Sequence, residues 1–152
     1  MKKPAYRRWI IMDKETLKDP QIYISKEARK LFDNMQSTLD EFKQLENKDL
    51  FILALVFGYL NDKRKILHAQ ETEKSGFTRE RYLGDQDNAI LKAIAIWHKE
   101  DIELVMDIPK VYSLAEEYAN GGIGHLKEFV FDNPASFIKK FAELLKEEID
   151  KK

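Results

Sequence analysis

The chain contains no cysteine. That excludes disulfides, thiolate metal sites and a cysteine nucleophile together. Its three histidines, His68, His98 and His125, lie in three separate stretches, none at zinc-ligand spacing from another histidine or a glutamate. The phosphate loop, the dinucleotide fingerprint and the nucleophile elbow are all missing. No apolar run approaches the roughly 20 residues that a membrane-spanning helix needs, and no apolar signal region follows the basic start. An excess of charge is missing too. Lys and Arg number 26, Asp and Glu 27, and the net charge is −1. Nonspecific coating of nucleic acid draws its affinity from neutralising phosphates, so this balance argues against such a role and leaves room only for a local basic patch. The expectation from these absences is a cytoplasmic, non-enzymatic protein with no cofactor and no metal.

What is present is a core. Asp49 to Leu60 is apolar at ten of its twelve positions, on every face of a helix drawn through it. A helix apolar all round is buried on all sides. The run predicts a central buried helix over 48–61, with Asn47 as N-cap and the cations Lys63, Arg64 and Lys65 favouring its C-terminus. At 152 residues the chain can bury roughly 70% of its unfolded surface. It needs no staple.

Around that run the pattern predicts a mainly α fold, a compact domain over 20–152 with six or seven helices and one short strand at 21–25. Residues 1–19 form a basic arm in which Lys2, Lys3, Arg7 and Arg8 precede any acid. Such a cluster can grip nucleic-acid phosphates, although in a chain this near neutrality a solvated terminus is the commoner reading. Gln21 to Ser25 alternates polar and apolar residues, and Ser25 can cap a helix from Lys26 to about Gln36. Thr38 and Glu41 offer a capping box for a second start. Residues 62–84 are polar and read as the longest, most mobile connection. Asp85 or Asp87 can cap a second apolar helix that ends near His98. Pro109 opens another helix, which Asn120-Gly121-Gly122 is expected to stop. A short helix over 123–131 and a last one, from Asn133-Pro134 to about Ile149, complete the chain.

Three stretches together resemble a known family: Lys48 to Tyr59, Asp87 to Ala95, and Ala115 to Ile123, with Glu117, Tyr118, Ala119, Asn120, Gly121 and Gly122 the most specific piece. The chain is similar to the small accessory proteins found with Dnd phosphorothioation systems, which place sulfur in the DNA backbone and restrict unmodified DNA as an antiviral defence. The resemblance covers roughly residues 22 to 145. It implies partners among the proteins of such a system, and it brings no catalytic residue with it. The motif residues read as fold determinants. More weakly, residues 21–60 resemble a ribbon-helix-helix unit. That implies a homodimer paired through the strand, with Gln21, Tyr23 and Ser25 facing DNA and Ile22 and Ile24 facing the core. The spacing departs from that pattern, because about ten residues separate the two helices where a tight turn belongs.

The leading expectation is therefore an accessory protein of DNA modification or restriction that binds DNA or a partner protein. A protein–protein adaptor with no DNA contact is the rival. A metal-dependent nuclease built on Asp85, Asp87 and Lys92 ranks last, since such sites normally sit on a sheet.

Overall fold

The computed structural model describes residues 20–132 and 137–151, so the expected basic arm lies outside the described residues. The fold is mainly helical, with one two-stranded sheet. Strand β1 (Gln21–Ile22) leads into helix α1 (Lys26–Thr38), a single helical turn at Asp40–Lys43, and helix α2 (Asn47–Leu60). A long connection carries strand β2 (Thr78–Arg79). Helix α3 (Asp85–Lys99), a 3-10 turn (Ile102–Met106), helix α4 (Ile108–Asp132) and helix α5 (Phe137–Asp150) follow.

The expected six or seven helices are not matched; five helices longer than one turn are described. The main reason is Asn120-Gly121-Gly122. These residues do not stop a helix but lie inside α4, which runs unbroken through them. None of the described glycines has a positive φ. Gly121 and Gly122 instead permit a close approach. A Cβ on Gly122 would run into the Ala54 carbonyl oxygen and the Gly58 backbone. One on Gly121 would meet the Lys63 backbone, and one on Gly58 the Tyr118 carbonyl. Gly58 and Gly122 thus oppose each other where α2 crosses α4, and that seam is the principal contact of the molecule. Glycine is chosen here for the missing side chain, not for its backbone freedom.

Helix α2 forms as expected but is not buried on all sides. Leu50, Phe51, Ala54, Leu55, Phe57 and Gly58 are buried, whereas Ile52, Leu53, Val56 and Tyr59 are partly exposed against the core edge. Its N-cap is Glu46, not Asn47. The Asp49 carboxylate reaches back to accept from the Glu46 amide at 3.1 Å, and the Asn47 side chain instead donates to the Phe77 carbonyl at 2.8 Å. Of the cations after α2, Arg64 pairs with Glu117 and Lys65 with Glu27. Asn61 caps α2 by donating to the Phe57 carbonyl at 2.8 Å, and Asp62 turns the chain at φ 53°. Ser25 caps α1 as its sequence position suggested, accepting from the Ala28 amide at 3.0 Å. The proposed restart box at Thr38 does not form: Thr38 is the last residue of α1, and Leu39 precedes the single turn with no side-chain cap.

The polar connection 61–84 is laced to the domain along most of its length. Gln21 pairs with Arg79 and Ile22 with Thr78, antiparallel. The Phe77 amide donates to Ile22 at 2.8 Å and the Glu73 amide to Ile24 at 2.9 Å. Phe77 stacks on Phe32 with ring centroids 4.7 Å apart, and Leu67, Thr72, Phe77 and Leu83 are buried. The polar residues mislead because the few apolar ones among them are the anchors.

Candidate functional site

The motif from Glu117 to Gly122 sits on α4 where the chain leaving α2 crosses back over it. Each of its residues, and Glu116 before it, has a task there. Glu116 is fully buried, and one carboxylate oxygen accepts from the Tyr23 amide at 2.6 Å. The other edge of β1 is held by the 72–79 segment. On its opposite edge, the Tyr23 amide is thus taken by Glu116 within this chain. The Lys65 amide donates to the Glu117 carbonyl at 3.0 Å, and Ala119 is packed without exposure. Asn120 reaches the Lys65 carbonyl at 3.5 Å, and Gly121 and Gly122 admit the neighbouring backbones.

Tyr118 and Glu117 extend this seam into a polar chain. The Tyr118 hydroxyl lies 2.8 Å from His98 Nδ1, Arg64 Nη1 lies 3.0 Å from His98 Nε2, and Arg64 Nε lies 3.7 Å from Glu117. A guanidinium only donates, so Nε2 must accept, and the single proton of neutral His98 lies on Nδ1 and is donated to Tyr118. Burial pushes the Tyr118 hydroxyl above its ordinary pKa, opposed by Arg64 and supported by Asp62, Tyr59 and Glu117. The Tyr118 ring meets both His98 and Tyr59 edge-on, and Tyr59 lies 5.9 Å from Trp97. The result is a joint that fixes the end of α3 to α4 and to the backbone at 63–65.

That joint supports an unusual corner of the surface. Glu100 ends α3 in the left-handed conformation. The 3-10 turn then packs against both α3 and α4. Trp97 is 52% exposed, Ile102 72% and Met106 83%. The turn's own Asp101 and Leu104 line a cavity of about 460 Å³ together with Arg64, Lys110, Leu114 and Glu117, and Ser113. Ile102 and Met106 stand exposed on the same short turn whose Leu104 lines that cavity, an arrangement suited to an interaction surface.

A second cavity, of about 350 Å³, holds part of the nuclease constellation. Asp85 and Lys92 line it with Glu80, Asn88 and Tyr112. Asp87 is directed elsewhere, accepting from the Gly84 amide at 2.9 Å and lying 3.8 Å from Lys48 Nζ. The three residues do not converge. Burial, then the Glu80 carboxylate that the hydroxyl bonds, pushes Tyr112 well above its ordinary range. Among the described residues no group of three or more His, Asp or Glu side chains is placed to hold a metal ion, and no described helix is long and apolar enough to cross a membrane.

Of the residues singled out for nucleic acid, Lys2, Lys3, Arg7 and Arg8 lie outside the described residues. Gln21 is half-buried, with its side-chain oxygen accepting from the Gly76 amide at 3.0 Å. Tyr23 is partly buried against the core, and Ser25 is buried, its hydroxyl engaged in capping α1. Sequence reasoning missed the roles of His98, which marked only a helix end, and of Arg64, which counted only as a helix-end cation. Their partners lie 20 and 34 residues away, and no local pattern announces them. The corner left a trace, however. Asp101 to Ile108 mixes acids with apolar residues without the spacing of a buried helix.

The family described as DNA sulphur modification system-associated protein 4 matches residues 21–152. No curated protein and no solved structure matches.

Proposed function

The chain belongs to the DNA sulphur modification system-associated protein 4 family, and from that premise we propose that it is a non-enzymatic accessory subunit whose work is to bind another protein of a phosphorothioation modification or restriction system. The observation that carries this reading is the corner at the end of α3. Trp97, at the end of α3, and Ile102 and Met106, on the turn after it, are more than half exposed; Leu104 of that turn lines a cavity, and the end of α3 is braced by Arg64, His98 and Tyr118. Removing apolar area from water is worth about 25 cal/mol per Å², and a rigid framework adds little ordering cost to binding. Rigid aromatic and apolar anchors beside a pocket are the features that dominate protein interfaces.

The test is reconstitution. The tagged chain is mixed with each protein encoded in the same system, and complex formation is followed by size-exclusion chromatography and calorimetry. A stoichiometric complex with one of them is expected. If none binds, the reading fails.

A second reading rests on the charge of the first eight residues. Lys2, Lys3, Arg7 and Arg8 give a local charge of +4 in a chain of net charge −1. In this reading the four cations contact DNA phosphates, with Gln21 and Tyr23 nearest the duplex; Ser25, expected beside them, is buried. Its test is the salt dependence of duplex binding, given in the Discussion.

A further inference from the structure

The exposed corner has a sign. Between Lys99 and Lys110 the chain carries Glu100, Asp101, Glu103 and Asp107 and no base. Glu100, Asp101 and Glu103 are exposed, interleaved with Ile102 and Met106, which are among the most exposed large apolar residues described. Asp101 and Asp107 are held in place by local structure. Asp101 accepts from the Glu103 amide at 3.0 Å, starting the 3-10 turn. Asp107 accepts from the Lys110 amide at 3.3 Å and lies 3.6 Å from Lys110 Nζ.

From these observations we propose that the exposed ridge Glu100–Met106 is a docking surface for a basic, apolar peptide segment of a partner protein. Lys or Arg side chains of that segment lie against Glu100 and Glu103, and its apolar side chains cover Ile102 and Met106. One aliphatic side chain enters the adjoining cavity between Leu104 and Leu114. This inference rests on the partner-binding reading above and adds where the partner sits and what its chemistry is. The argument for the occupant is charge complementarity. Glu100, Asp101 and Glu103, three exposed acids in four residues, repel DNA and acidic partners, and they raise the encounter rate of a basic one. The apolar groups among them supply the affinity that exposed ion pairs do not. Arg64 and Glu117 in the cavity wall already bond each other. The cavity therefore takes an apolar group more readily than a second charge, which would be left unpaired on burial.

The experiment uses the full chain and an array of overlapping 15-residue peptides that covers the other proteins of the system and this chain's own residues 1–19. Peptides that bind should come from the other proteins and combine Lys or Arg with aliphatic or aromatic residues. Affinity is then measured for the parent, for Ile102→Ser with Met106→Ser, and for Glu100→Lys with Glu103→Lys. The substituted side chains are exposed, so thermal melts should match the parent. Both variants should bind at least tenfold more weakly, and the lysine variant should also lose the salt dependence. The inference is overturned if the binding peptides are acidic or uncharged, if only residues 1–19 of this chain bind, if duplex DNA binds the ridge instead, if nothing binds, or if either variant binds as the parent does. A full-length system protein that binds parent and variants alike would leave the accessory-subunit reading standing and remove the ridge from it. Failure of every system protein to bind the parent would remove both.

Discussion

Two glycines on one helix should respond to the same substitution with opposite signs. Gly122 and Gly124 both lie in the interior of α4. Alanine in a helix interior is favoured over glycine by about 1 kcal/mol, through backbone entropy. At Gly124 nothing lies within 4 Å of an added Cβ, so the Gly124→Ala variant should gain most of that and melt about 2–4 °C higher for a domain of this size. At Gly122 the Cβ would overlap the Ala54 carbonyl oxygen and the Gly58 backbone. These atoms belong to α2 and cannot swing aside as a flexible side chain can. The helices must part by about 1 Å, and a gap of ~0.5–1 Å forfeits a quarter to a half of each dispersion contact across it. Overpacking costs about 1–3 kcal/mol and sometimes more. Along the seam that joins Leu50, Phe51, Ala54 and Phe57 to the rest of the core, we expect the upper end or beyond, ~3–5 kcal/mol, again on the overpacking scale. Less the propensity gain of about 1 kcal/mol, Gly122→Ala should destabilise by ~2–4 kcal/mol, a large share of a total near ~5–15 kcal/mol. The assay is urea and thermal unfolding of parent and both variants by circular dichroism. If Gly122→Ala is as stable as the parent, or moves in the same direction as Gly124→Ala, the close crossing of α2 and α4 is refuted.

Leu55→Asp should abolish folding, because Leu55 is 0% exposed and an unpaired buried carboxylate costs several kcal/mol; a soluble variant with a cooperative melt would count against the assignment of α2 to the core. Stability should decline in alkali. The unfolded tyrosines ionise near pH 10, while Tyr112 and Tyr118 hold their protons to higher pH in the fold, so the folded state binds more protons and loses ground as pH rises through that value. Tyr112→Phe should flatten this decline in urea titrations between about pH 9 and 11, and an unchanged slope would exclude Tyr112 as its source. If the four arm cations contact duplex phosphates, replacing Lys2, Lys3, Arg7 and Arg8 by alanine should flatten the plot of log affinity against log salt by up to about 0.9 per lost contact; equal slopes for parent and variant would clear the arm.

The sequence alone determined the class of fold and its centre. The run from Leu50 to Leu60 is too apolar to lie anywhere but against a core. The alternation at Gln21 to Ser25 placed Ile22 and Ile24 inside because successive strand side chains face opposite ways. Ser25 announced the start of α1 because its cap bond spans only three residues. The family was legible as well, in Glu117 to Gly122. These signals are local or periodic, so they survive without knowledge of the fold. What Asn120-Gly121-Gly122 does was decided by tertiary structure. Taken alone the triplet is a helix stop, but against α2 it is the gap through which two backbones pass. The polar connection 61–84 was likewise settled by contacts at a distance, where Phe77 stacking on Phe32 and amides bonding β1 outweigh its loop-like composition. His98 became part of a joint only when folding brought Arg64 and Tyr118 to its two nitrogens. The acids and apolar residues of 100–107 were visible all along, yet only packing could decide which of them face water. Leu104 lines a cavity while Ile102 and Met106 stand exposed, because the 3-10 turn that carries them rests on both α3 and α4.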